Sequence, residues 1–195
     1  MTESGFQGLK AEVLQMLTVG LDPQLTYHSL AHTIDVMAQA ERIAVSENVT
    51  DSRILLLLQI ATLFHDTGFL YTYKGHEEKS CEILDEHIDA SLFSLSEIVL
   101  IKDMIMATKI PQSAVSLPEM IICDADLDYL GREDFEVISE NLRKEMIAFD
   151  FIKSNKEWYI REVDFIESHR YYTVTSQRLR QPSKIQYLEK LRQHE

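Results

Sequence analysis

Four short stretches hold the side chains that can do chemistry. His28 and His32 stand four apart in Tyr27-His-Ser-Leu-Ala-His32, a spacing that on a helix puts both imidazoles on one face. His65 and Asp66 are adjacent at the end of the apolar run LLLLQIATLFHD, and His76 opens the segment after it. Asp124, Asp126 and Asp128 alternate after MIIC. Each signal has an ordinary explanation, such as a helix-surface imidazole, a chance His-Asp pair or a solvated acidic face. Two facts point further. Asp66 and Asp126 follow strongly apolar stretches, where an ionised carboxylate is costly unless it is paired or bound to a cation. Imidazole nitrogen combined with carboxylate oxygen suits Mn, Fe, Co, Ni or Zn, whereas Mg and Ca favour all-oxygen sites. Acid and histidine positions on three separate helices can converge inside a bundle.

A divalent ion in such a site could activate water for hydrolysis, and the reaction would suit a phosphate ester. A divalent ion lowers the pKa of bound water, to about 7 on zinc, and polarises a phosphoryl oxygen. Attack by metal-bound hydroxide is the expected reaction, with Asp66 or Asp126 orienting the water. The leaving alkoxide needs a proton, and His28, one turn from His32 on the expected helix, can donate it. His28 could instead hold a carboxylate beside the ligands or cap the helix. Phosphate also needs positive charge, and Lys74, Lys109 and the 170–184 segment can supply it.

Helices must position these groups, because nearly every segment repeats at helical period. Leu9, Val13, Met16 and Leu17 form one stripe; Ile34, Met37, Ala38, Glu41 and Val45 form another. Residues 54–64 are apolar on nearly all sides, as a central bundle helix is. Phe135, Ile138, Leu142, Met146 and Phe149 form a later stripe, followed by Trp158, Val163 and Ile166. No run alternates at period 2, and no hairpin dipeptide occurs. Breaks are expected at Gly20–Pro23, at Asn48–Asp51 with Thr50 or Asp51 as N-cap, at Gly68, between Pro111 and Pro118, at Gly131, and at Pro182 before a last short helix. Asn155 is a further candidate cap. The expectation is an all-α fold of seven to nine helices in one domain, residues 1–195.

The ordered set His32, His65-Asp66, Asp126 resembles the H…HD…D signature of the HD-domain metal-dependent phosphohydrolases. Ala-Thr-Leu-Phe-His65-Asp66-Thr-Gly68 resembles their apolar-run-HD-x-G segment, and Asp124-Ala-Asp126-Leu-Asp-Tyr-Leu-Gly131 their DADxLDxLG segment. Residues Tyr27 to Val36 resemble the YHNxxHxxDV segment of the cyclic-nucleotide phosphodiesterase branch. The resemblance spans 27–131, with helices of 132–195 packing on that core. It implies a compact helical bundle in which His32, His65, Asp66 and Asp126 are metal ligands. It also implies that His28 is the general acid, that His76 lines the pocket, and that Lys109 is the first candidate for binding substrate. Departures are visible. Ser29 replaces an Asn, Phe69-Leu70-Tyr71 stands where the phosphodiesterases carry a histidine, and the acidic pair of the alarmone hydrolases is missing. Thr108-Lys109 stands where dinuclear members carry histidine. One metal ion (Mn, Fe, Co, Ni, Zn or Mg) is therefore expected, with His76 able to hold a second one bridged by Asp66. The substrate class implied is a small phosphorylated molecule, a nucleotide first, as monoester or diester.

Composition narrows the partners. The 195 residues carry 32 acids against 19 Lys and Arg, a net charge of −13, which repels nucleic-acid polymers and anionic membranes. The charge is uneven: residues 170–195 carry +4 and the rest −17, so the basic tail is expected to pack back on the body. Cys81 and Cys123 form no CxxC and suit free thiols in a reducing compartment. The apolar run 54–64 is too short to span a bilayer, and no signal peptide is visible, so the cytoplasm is the expected location. A homodimer is left open. Asp124 and Asp128 are expected beside the ligands or at the surface, His87 and His194 in solvent, and His169 over the pocket or elsewhere. Competing readings are a ligand-sensing HD bundle without catalysis, an iron oxygenase of HD type, and an acidic helical interaction module.

Overall fold

The computed structural model describes residues 1–193 and, among these, ten α-helices, three 3-10 turns and no strand. His194 lies outside the described residues. The helices are α1 (Glu3–Gly20), α2 (Leu30–Ser46), α3 (Ser52–Phe64), α4 (His76–His87), α5 (Leu95–Ala107), α6 (Leu117–Asp126), α7 (Phe135–Ala148), α8 (Asn155–Ser168), α9 (Val174–Leu179) and α10 (Gln181–Gln193). The count exceeds the expected seven to nine. α9 is only six residues long, and Pro182 sits inside the first turn of α10, where its missing N–H costs nothing.

α3 is the central helix. Asp51 caps it by accepting from the N–H of Arg53 at 2.7 Å, which satisfies one orphan donor of the first turn. Leu57, Leu58, Ile60, Ala61, Leu63 and Phe64 are all buried, so α3 is apolar because α2, α5 and α6 enclose it. With the following 3-10 turn the stretch Ser52–Leu70 reaches 19 residues, long and apolar enough by length and composition to cross a membrane, and 67% of its 18-residue apolar window is buried within the protein. The α2 stripe is corrected by the structure. Ile34 and Val45 are exposed, and the buried face is Thr33, Val36, Met37, Ala40, Ile43 and Ala44. α2 packs against both α3 and α6, and the face shared with two neighbours is the one its Ala residues leave thin. Ser154, one residue before Asn155, caps α8 by accepting from Glu157 N at 3.2 Å.

The core has two parts. The larger joins α1 to α6. The smaller gathers Tyr27, Tyr129, Leu130, Phe135, Ile166 and Tyr171, with α8 packed on α10. Buried carboxylates join the tail to the body. Asp124 accepts from Tyr172 N at 2.8 Å, Thr173 N at 2.7 Å and Thr173 Oγ1 at 2.6 Å. Asp128 accepts from Arg42 at 2.7 Å and twice from Arg180 at 2.9 Å. Both are fully buried, which overturns the surface reading of these two residues. Gly131 is needed here for close approach, because a Cβ would lie 2.3 Å from the carbonyl oxygen of Arg180.

Candidate metal centre and its cavity

Three helix ends deliver the site. His32 lies in the first turn of α2, His65 caps the C-terminus of α3 with Asp66 next to it, and Asp126 ends α6. The packing of α2 on α3 and α6 brings these ends together. His32 Nε2 lies 3.0 Å from Asp126 Oδ1 and 3.3 Å from Asp66 Oδ2, and His65 Nε2 lies 3.3 Å from Asp66 Oδ2 and 3.7 Å from Asp126 Oδ1. Ligand atoms of His32, His65 and Asp66 all fall within 4.8 Å of one another.

The local sequence holds this geometry. His65 Nδ1 faces the Thr62 carbonyl at 2.8 Å. The carbonyl can only accept, so the proton is fixed on Nδ1 and the lone pair of Nε2 is aimed into the cluster, the tautomer a metal needs. Ser80 Oγ donates to the His65 carbonyl at 2.7 Å and accepts from Gly68 N at 2.8 Å, pinning the turn after His65 onto α4. Gly68 permits that contact, since a Cβ there would lie 2.0 Å from the His76 carbonyl oxygen.

The donor set fits a divalent cation. His65 Nε2 and Asp66 Oδ2 are buried and have no hydrogen-bond partner among the described residues, a costly state for an imidazole and a carboxylate. Electrostatics agree. Burial opposes charge on His32, but Asp126 and Asp66 overcome it and raise its pKa to about 9. Burial likewise opposes charge on His65, and Asp66 leads in raising it well above 6.5. Burial would raise both acids, yet His65 first and then His32 hold Asp66 well below its ordinary value, while His32 and His65 hold Asp126 at about 2. Without a cation, protons on the imidazoles take its place between the carboxylates.

The other named residues divide. His28 is not on α2, because Ser29 is the N-cap and the helix begins at Leu30. The helical-face argument for the His28–His32 pair therefore fails, although the chain turn still brings the two rings to 6.0 Å. His28 stacks on Phe69 at 4.1 Å, and His76 stacks on the same ring at 4.0 Å. His76 Nδ1 faces the Tyr73 carbonyl at 3.1 Å, and its Nε2 lies 3.6 Å from Asp66 Oδ1. Lys109 is half-exposed at the cavity edge and paired with Glu78. His169 does not line the cavity. Its carbonyl accepts from the buried Lys184 Nζ at 2.6 Å, and burial with Lys184 nearby lowers its imidazole to about 3. His87 pairs with Glu12 at 2.7 Å.

Glu145 was not anticipated. It is a fully buried carboxylate on α7. One oxygen accepts from the N–H groups of Tyr27 at 2.8 Å and His28 at 3.0 Å; the other meets His28 Nδ1 and accepts from Tyr73 Oη at 2.8 Å. Burial raises its pKa, but the bond to His28 outweighs this and leaves it below the ordinary value. The signal in the sequence was an acid three residues after Leu142 and four before Phe149, on an otherwise apolar stripe.

A cavity of about 620 Å³ opens from this centre. Asp66, Asp126, His28 and His76 form its polar end, Tyr27 and Tyr129 line its middle, and α7 and α8 wall its far end. A mostly apolar pocket with a few convergent polar groups is the usual layout of a small-molecule site.

Comparison with known proteins adds the family. The HD domain model matches residues 29–129. A solved structure of a predicted HD superfamily hydrolase from an uncultured Thermotogales bacterium aligns at 21% identity over 96% of this chain and 90% of that one, with a TM-score of 0.59. A Lactobacillus plantarum protein aligns at 16% identity over 99% and 97%, with a TM-score of 0.68. At these identities the likeness is one of fold. No curated protein matches the chain.

Proposed function

Because the chain belongs to the HD-domain family, we propose that it is a metal-dependent phosphohydrolase that cleaves a phosphate ester of a small molecule, a nucleotide being the first class to test. The observation that carries this reading is the orphaned buried pair, His65 Nε2 and Asp66 Oδ2, facing His32 and Asp126. These four residues would hold a divalent ion, which when bound acidifies water and polarises a phosphoryl oxygen.

The chain's own groups do the rest. Asp66 reaches the cavity from the ligand cluster and orients the attacking water. His28 stands at the same polar end with its Nδ1 held by Glu145. That bond orients the ring, so that as the general acid it would present Nε2–H to the departing alkoxide. Tyr73 completes the support by donating to Glu145. His76, stacked on Phe69 with Nδ1 held by the Tyr73 carbonyl, would turn its Nε2 lone pair to a second cation or, as an imidazolium, donate to a phosphoryl oxygen. Lys109 meets substrate only by leaving Glu78. The free thiols Cys81 and Cys123 support a reducing compartment.

The test is phosphate release by protein loaded in turn with Mn, Co, Ni, Zn, Fe and Mg, on p-nitrophenyl phosphate, its bis-ester and nucleotides. Turnover abolished by His65→Ala supports the reading. Absence of turnover with every metal, or turnover indifferent to His65→Ala, rejects it.

A further inference from the structure

Past the metal ligands the cavity continues between α7 and α8. α7 lines it with Phe135, Leu142 and Met146, and α8 with Trp158 and Phe165. Two polar contacts span the gap: Ser139 Oγ donates to Glu162 Oε1, and Arg143 to Asn155 Oδ1 at 2.9 Å. Both helices lie beyond the residues that match the HD domain, so this lobe is a feature of the rest of the chain.

The lobe has flat aromatic walls, the exposed Arg161 and Asp164 on α8, and one half-buried carboxylate, Glu162. Ser139 donates to one of its oxygens. A carboxylate offers about four lone-pair positions, so acceptor capacity remains. A hydrocarbon body in the lobe would strip water from Glu162 and return no hydrogen bond, a loss of roughly 5- to 150-fold in affinity. A flat heteroaromatic body with N–H donors at its edge does the opposite. Its faces stack on the aromatic walls, and its edge fills the open acceptor.

We propose that the lobe between α7 and α8 seats the base of a nucleotide, and that Glu162 selects guanine through its adjacent N1–H and N2–H donors. Uracil places its one ring N–H between two carbonyls, which a carboxylate repels. Adenine and cytosine each set a ring acceptor beside their amino group. The inference takes the phosphate end of the ligand from the phosphohydrolase reading, whereas the base end stands on the lobe alone.

Calorimetric titration of the metal-loaded full chain with guanosine, adenosine and uridine 5′-monophosphates and with hexyl phosphate tests it. The guanine nucleotide should bind at least about 10-fold more tightly than the uracil nucleotide or hexyl phosphate. Glu162→Leu should weaken guanine binding about 10- to 100-fold and erase most of that preference. Leu142→Trp, filling the lobe from α7, should weaken every nucleotide, and it carries the test if thermal melts show Glu162→Leu unfolded. Equal binding of the guanine and uracil nucleotides, hexyl phosphate matching them, or a preference that survives Glu162→Leu overturns the proposal. Turnover of p-nitrophenyl phosphate without base discrimination overturns it while leaving the phosphohydrolase reading intact. Base-selective binding without turnover of any phosphate ester supports the seat and rejects that reading.

Discussion

Glu145→Gln keeps the shape of a buried side chain and removes its charge. The carboxylate accepts four hydrogen bonds, two from backbone N–H groups and one each from His28 Nδ1 and Tyr73 Oη. A glutamine oxygen can keep the backbone pair. Its amide nitrogen then faces His28 Nδ1 and Tyr73 Oη as a donor meeting donors. Two charge-assisted bonds are lost on a group with no exposure, so the variant should be destabilised by about 3 kcal/mol. For a chain of this size that lowers Tm by roughly 6–12 °C. The effect on activity should be larger. Without the anion the His28 imidazolium loses its partner, and kcat on a phosphate ester with a poor leaving group should fall about 10²- to 10⁴-fold. A double-mutant cycle isolates the cause. In a His28→Ala background Glu145→Gln should change kcat little, because the two residues act as one device. An ester with a good leaving group needs less protonation and should be affected less. Wild-type kcat in Glu145→Gln, or a loss that adds in full to that of His28→Ala, would refute the reasoning.

Other predictions follow from the same structure. For the metal-free protein, the His32 pKa, raised from 6.5 to about 9, contributes about 3 kcal/mol of stability, fully present below pH 6.5 and lost as pH rises through 9. Asp126, lowered from 3.8 to about 2, contributes above pH 3.8, and that contribution is lost as pH falls through 2. Chelated protein should therefore melt highest at roughly pH 4–6.5, and a Tm rising steadily from pH 6.5 to 9 would contradict the proton-held cluster. Gly68→Ala drives a Cβ to 2.0 Å from the His76 carbonyl; a loss of at least about 3 kcal/mol is expected in denaturant titration, and a near-neutral change would show that the turn moves freely. Truncation after Ser168 strips Asp124 and Asp128 of their tail partners and should abolish cooperative thermal unfolding, whereas a sharp transition near the full-length Tm would make the tail a mere appendage.

The residues differ in how legible they were. Asp66 and Asp126 could be read because each follows an apolar stretch, the resemblance added His32 and His65, and the structure brings all four side chains together. The His28–His32 spacing misled, since a cap at Ser29 starts the helix after His28, and tertiary contacts with Glu145 and Phe69 fix that ring. Glu145 itself was visible merely as an acid on an apolar stripe; its partners Tyr27, His28 and Tyr73 lie at least 72 residues away in sequence. Alternating acids in the 124–128 segment look alike in sequence, yet Asp126 joins the cluster while Asp124 and Asp128 clamp the tail. Periodicity identified α7 and α8, but an apolar face reads the same whether a helix or a cavity lies against it. The lobe between them therefore had no signature until the helices were placed.

The most direct test of the central claim is metal content measured by elemental analysis beside phosphate release on the same preparation. The expected result is about one tightly held divalent ion per chain, phosphate release that chelation abolishes and metal restores, and loss of both in Asp126→Asn. Phosphate release that survives complete removal of metal, or a fully loaded protein that cleaves no phosphate ester, would contradict it.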